Sequence, residues 1–158
     1  MKKSTLHQYT TTVRWTGNTG AGTVDYQSYS RDYLVSAAQK LDLMGSSDPA
    51  FRGDPTRYNP EDLLVASLAA CHMLWYLHLC AVEGIVVLDY EDSATGVLLE
   101  AESGAGHFKE VVLHPLVTVA AASMIEKAVA LHQKAREYCF IANSVNFPIR
   151  HEPVIRVV

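Results

Sequence analysis

The sequence predicts an α+β fold with mainly antiparallel sheet, and three observations carry that expectation. Segments rich in Thr, Val, Ile and aromatic residues lie on both sides of one long apolar run. An Asn-Pro-Glu-Asp tetrad marks that run as a helix. A second helical pattern comes late and is followed by a last β-rich segment. The order strands, helix, strands, helix, strand is an α+β layout.

The elements follow in chain order. Residues 6–16, LHQYTTTVRWT, have strand composition, and Gly17, Gly20 and Gly22 then mark a turn. Residues 21–37, AGTVDYQSYSRDYLVSA, read as two further strands. Residues 39–59 hold several Gly, Pro, Ser and Asp and read as one long loop, a length often tied to function. Asn59 suits a helix cap, Pro60 the first helical position, and Glu61 and Asp62 the positive end of the helix dipole. The helix runs to about Glu83, where Gly84 can end it. Strands are expected at residues 85–92, 96–102 and 107–119, with Ser103–Gly106 (SGAG) as a turn. A second helix spans roughly 120–138, with Ile125, Val129 and His132 on its apolar side. Residues 139–145 form a short helix or turn, and PVIRVV is the final strand.

The 158 residues suit one domain, taken as 1–158. With 49% apolar and 19% charged residues the chain resembles ordinary globular proteins, which argues against global disorder. A net charge of -4 gives no basic footprint for nucleic acid. The N-terminus carries Lys2 and Lys3 but no apolar run behind them, so no signal peptide is expected. Three cysteines at wide spacing do not form a secreted disulfide framework, and a cytoplasmic protein with thiols is expected.

Residues 63–82, LLVASLAACHMLWYLHLCAV, contain no charge and are long enough to span a bilayer. Their flanks carry Glu61, Asp62 and Glu83 and no Lys or Arg, so the positive-inside pattern is missing and burial in protein is expected instead of membrane insertion. A small monomer can hardly surround such a helix. Packing against its own copy in a two-fold homodimer solves the problem.

Cys71 and Cys139 are the candidates for chemistry, beside the plain alternative that cysteine is a common core residue. Cys71 lies in the third turn of its helix, about 15 Å from Glu61 at 1.5 Å per residue, beyond the reach of the dipole. A reactive thiolate there needs an arginine from elsewhere, with a carboxylate such as Glu61 to hold it. Antiparallel copies of the helix can bring one chain's Glu61 to the other chain's Cys71. His72, His78 and Cys80 lie near Cys71, but no pair among them has the i, i+4 spacing of a helical metal site. A Cys–His hydrolase is disfavoured because His72 points to a different helix face from Cys71. Cys80 and the Met73–Tyr76 group read as packing, with Met73, Leu74, Trp75 and Tyr76 as candidates for a substrate pocket.

NPEDLLVASLAACHMLWYL, followed much later by AREYCFIANSV, resembles the OsmC/Ohr family, the osmotically inducible protein C and organic hydroperoxide resistance proteins. The matching features are the Asn-Pro-Glu helix start, Cys71 ten positions after Glu61, and Cys139 at the end of a later helix. The resemblance covers nearly the whole chain. It implies an OsmC-like intertwined homodimer whose thiol peroxidase reduces alkyl or lipid hydroperoxides. By it Cys71 is the peroxidatic cysteine and Cys139 the resolving one. No metal, haem or flavin is implied; an external dithiol, lipoyl-type in the family, is the reductant. The Ohr branch carries its arginine in a Gly-rich turn, and TGNTGAG here has none. Arg52 in AFRGDP stands nearest the OsmC-branch position; Arg31 in YSRDYL is the second choice and Arg57 a third. The alternative function is non-enzymatic: a dimer that binds a small hydrophobic molecule or senses redox state.

Overall fold

The long helix, α1 (Pro60–Val82), is bounded by local chemistry at both ends. The Asn59 side chain accepts from the Asp62 amide at 2.7 Å, and the Asp62 carboxylate accepts from the Asn59 amide at 3.3 Å, a reciprocal capping box. At the other end Gly84 has φ +74, a conformation a side chain resists. The Gly84 amide reaches the Ala81 carbonyl and the Ile85 amide the Cys80 carbonyl, at 3.4 and 2.8 Å. This is a Schellman stop, with Ile85 and Cys80 packed in one core.

A computed structural model describes residues 4–158; Lys2 and Lys3 lie outside the described residues. The chain has an α+β fold in which two helices pack on mixed β-sheets. It divides into two compact units, Met1–Leu63 and Leu64–Val158.

The first unit holds an antiparallel sheet of β1 (Thr12–Trp15), β2 (Tyr33–Ser36) and β3 (Leu43–Gly45), in that order. The strand expected over 6–16 forms only from Thr12. Thr12 faces Ser36, the last residue of β2, and residues 6–11 have no ladder partner among the described residues. Of the two strands expected over 21–37, only β2 forms. The Asp25, Ser28 and Asn18 side chains bond nearby backbone groups and offer residues 18–28 an alternative to a ladder. The expected loop over 39–59 contains β3, held by Leu34↔Met44 and its neighbours, and a 3-10 turn at Pro49–Phe51 capped by Asp48.

The second unit holds two mixed sheets. In one, β7 (Pro115–Val119) lies between β4 (Val87–Asp92) and β9 (Val154–Val157). In the other, β6 (Gly106–Leu113) lies between β5 (Thr95–Glu100) and β8 (Ile149–His151). The β4–β7 and β5–β6 pairs are antiparallel; the β7–β9 and β6–β8 pairs are parallel. The run expected as one strand over 107–119 is split between the sheets. Its break is His114, whose amide donates to Asp92 at 2.8 Å, followed by Pro115. The helix expected over 120–138 is a 3-10 turn, Ala122–Met124, and then α2 (Ile125–Tyr138). Its buried face is Ala128, Leu131, His132 and Ala135, while Val129 is exposed. The small alanines permit the close approach to the core that Val129 was expected to make.

Leu68, His72, Tyr76, Leu79 and Cys80 form the buried face of α1. Tyr76, Leu79 and Cys80 join Val117, Val119, Ala128 and Leu131 in the larger core; Leu68 packs with Val111, Leu113 and Ile149 in the smaller one. Among the described residues α1 is the only helix long and apolar enough to cross a membrane, yet just 28% of its apolar window is buried in this chain.

Candidate functional site

Cys71 and Cys139 come together although 68 positions separate them. Cys71 sits half-buried on α1, and Cys139 caps the C-terminus of α2 in extended backbone, 1% exposed. Cys71 is a near neighbour of the Cys139 thiol, close enough to act on its ionisation. Burial, followed by this thiol neighbour, pushes Cys139 up to about 11, so it is protonated at neutral pH. The chain beyond α2 partly offsets this. It folds into a 3-10 turn, Ala142–Ser144, whose Ala142 amide donates to the Cys139 sulfur at 3.4 Å.

Aromatic packing frames the pair. Trp75, one turn beyond Cys71, stacks on Tyr138 with ring centroids 5.1 Å apart and meets Phe140 edge-on at 5.6 Å. Both residues flanking Cys139 therefore grip one side chain of the Cys71 helix. Leu74, Trp75 and His78 line a shallow apolar recess of about 270 Å³. Cys80, the third thiol, lies in the core at 1% exposure, and burial raises its pKa.

The remaining sequence candidates belong to the first unit. Arg31 donates to the Tyr29 and Tyr26 carbonyls at 2.6 and 2.7 Å, and its guanidinium lies about 4 Å from both rings. Arg52 is exposed, has φ +66, and lies 5.8 Å from the same Tyr26 ring. Arg57 pairs with Asp32 and Asp54. Glu61 stands in the first turn of α1 close enough to Tyr33 to help burial raise that phenol's pKa. Thus Arg31 and Arg52 share Tyr26, while Arg57 is engaged by aspartates.

His72 does not turn toward a thiol. It enters the core, where its Nε2 lies 3.0 Å from Nδ1 of His132. Burial lowers both imidazoles, His72 to about 4 and His132 to about 3. His151 stacks at 5.7 Å from His72 and is likewise lowered by burial. Sequence reasoning placed His132 on the apolar side of α2 and missed its partner. The available signal was a pair of histidines at core positions, which need each other or another polar group. Among the described residues no group of three His, Cys, Asp or Glu side chains is arranged to hold a metal.

The model of the OsmC-like protein family matches residues 53–153, the span that contains α1, α2 and both thiols. An OsmC-like protein of unknown function from Vibrio cholerae is 29% identical, with a TM-score of 0.84 over 94% of this chain and 100% of that one. An organic hydroperoxide resistance protein from Elizabethkingia anophelis is 19% identical, with a TM-score of 0.70 over 99% of this chain and 100% of that one. The organic hydroperoxide resistance protein OhrB of Bacillus subtilis is 22% identical, with a TM-score of 0.64 over 95% and 100%. No curated protein matches the chain. With the family model covering well over half its length, this chain belongs to the OsmC-like protein family.

Proposed function

We propose that the protein is a cysteine-based peroxidase that reduces organic hydroperoxides to alcohols. The observation that carries this is the proximity of half-buried Cys71 to buried Cys139 in an OsmC-family chain. Three of the solved structures it resembles are named organic hydroperoxide resistance proteins.

The chemistry follows from the two environments. The Cys71 thiolate attacks the terminal oxygen of ROOH, the O–O bond breaks, Cys71 becomes a sulfenic acid, and the alkoxide takes a proton to leave as ROH. Cys139 then attacks the sulfenic sulfur; its proton departs with the hydroxyl as water, and a disulfide remains. Being protonated at rest, Cys139 stays out of the first step, and the Ala142 amide stabilises the negative charge its sulfur develops in the second. A dithiol, of the lipoyl type used in the family, reduces the disulfide by exchange. No metal or organic cofactor takes part. Cytoplasmic reducing conditions keep the resting thiols reduced.

A guanidinium stabilises the thiolate and the leaving alkoxide. We assign it to Arg52, with Arg31 as the alternative, and give Glu61 the role of holding it. Arg52 is the freer candidate, since Arg31 is occupied by two backbone carbonyls. The working form is a homodimer. Ala66, Ala70, Leu74 and His78 form an exposed, largely apolar stripe along α1, and a second copy of the helix suits it.

Purified protein should consume cumene hydroperoxide with dithiothreitol or dihydrolipoamide, and Cys71→Ser should abolish turnover. The recess at Leu74, Trp75 and His78 supports a second reading, a non-enzymatic binder of a small hydrophobic molecule or a redox sensor. A ligand carried through purification without peroxide turnover would favour it.

A further inference from the structure

The His72–His132 contact joins the two helices that carry the thiols. The rings are within 9° of parallel, with centroids 5.3 Å apart and nitrogens only 3.0 Å apart. They therefore meet end to end, with an N–H of one ring aimed at the lone pair of the other. Both side chains are buried, at 1% and 0% exposure. Nε2 of His132 has no partner among the described residues, which leaves Nδ1 as the ring's single polar link. Tyr76 stacks on the His132 face at 3.9 Å and holds it in plane.

The placement of this bond matters. His72 directly follows Cys71, and His132 precedes Cys139 by seven residues, two turns of α2. Apolar contact resists separation of helices but is non-directional and tolerates sliding. An in-plane hydrogen bond in a dry core fixes both spacing and rotation, because a lost bond leaves two unsatisfied polar groups. A disulfide accepts only a narrow range of Cα separations, so a small slip of one helix suffices to slow its closure.

We propose that His72 and His132 are a positioning pair whose bond holds α1 and α2 in the register that lets Cys71 and Cys139 form a disulfide. Neither histidine touches the peroxide; each acts through the helix that bears a thiol. The proposal rests on the reading of Cys71 and Cys139 as a working pair. It is tested so that the two ideas fail separately.

The test compares three substitutions at one position. In His132→Asn the amide occupies the place of Nδ1; in His132→Gln an equally polar amide lies farther out, near the place of Nε2; His132→Phe removes the bond. Each variant receives one equivalent of cumene hydroperoxide. The burst of peroxide loss, dimedone-trapped Cys71 sulfenic acid and the Cys71–Cys139 disulfide are followed together. The expected result is a burst within about twofold of the parent in all three. Disulfide formation should fall at least about tenfold in His132→Gln and His132→Phe, with sulfenic acid accumulating, and return to within about threefold of the parent in His132→Asn. Equal disulfide rates in all variants, or a fall that tracks the burst, would overturn the proposal. Asn and Gln keep the site polar, so the comparison stands even where Phe does not fold. A parent with no burst refutes the peroxidase reading alone. The thiol oxidant diamide then replaces the peroxide, and slowed closure restored only by Asn supports the pair, while unchanged closure overturns it.

Discussion

Mild acid should destabilise this protein far more than an ordinary chain of its size, and the buried imidazoles set the amount. His72 and His132 charge near pH 6.5 in an unfolded chain but only near 4 and 3 in the folded one. Their folded values lie below the unfolded ones, so the unfolded chain binds more protons as pH falls. The stability they contribute is complete above about pH 6.5 and drains away below it. Each ring loses about 1.4 kcal/mol per pH unit below that point, hence about 2 kcal/mol at pH 5 and about 4 for the pair. At pH 5 the result depends little on the folded values, because both lie well under 5. His151, lowered in the same sense, adds to the loss. Asp92, raised by burial, acts oppositely and offsets part of it. Glu83 and Asp54 are held below their usual values by hydrogen bonds and titrate under the window. About 4 kcal/mol is a large share of the 5–15 kcal/mol typical of a domain. Urea unfolding at pH 7 and pH 5, at one fixed protein concentration, measures it. The parent should lose most of this amount, and the His72→Gln/His132→Asn double variant only the smaller remainder that His151, offset in part by Asp92, leaves. A parent equally stable at both pH values, or a double variant that loses as much, would refute the reasoning.

Other outcomes follow from single features. Arg52→Ala should slow peroxide consumption on the order of 10²–10³-fold, the usual cost of one electrostatic stabiliser of a developing anion; an unchanged rate in Arg52→Ala and loss in Arg31→Ala would move the role to Arg31. Leu74→Lys places a charge in the exposed α1 stripe, and sedimentation should show a shift from dimer to monomer; a parent that is monomeric at micromolar concentration removes the dimer. Gly84→Ala meets no atom within 4 Å but forces a side chain into φ +74, so it should lower stability by about 1 kcal/mol or somewhat more, read from the urea midpoint, without changing the burst.

The parts of the fold that local chemistry dictates were legible in the sequence. Asn59, Asp62 and Gly84 define α1 within a residue or two because caps need only near neighbours. The parts that need a distant partner were not. Residues 6–11 have strand composition but, among the described residues, no strand to pair with, and β8 is three residues long with its partner β6 nearly forty positions away. In the site, Cys71 and Cys139 were candidates as thiols and took their paired roles from the resemblance of two motifs to a family, while their proximity depends on how α2 ends. The choice of arginine was open in the sequence because three lie between 31 and 57, and their distinct surroundings appear only once Tyr26, Tyr29, Asp32 and Asp54 are in place. The His72–His132 bond was hidden because it spans 60 positions and no periodicity encodes it.

The most direct measurement is thiol mapping of the reduced protein after one equivalent of cumene hydroperoxide. The expected result is one equivalent of alcohol, a peptide pair linked through Cys71 and Cys139, and Cys80 still a free thiol. An unreacted Cys71 with the peroxide intact would contradict the account.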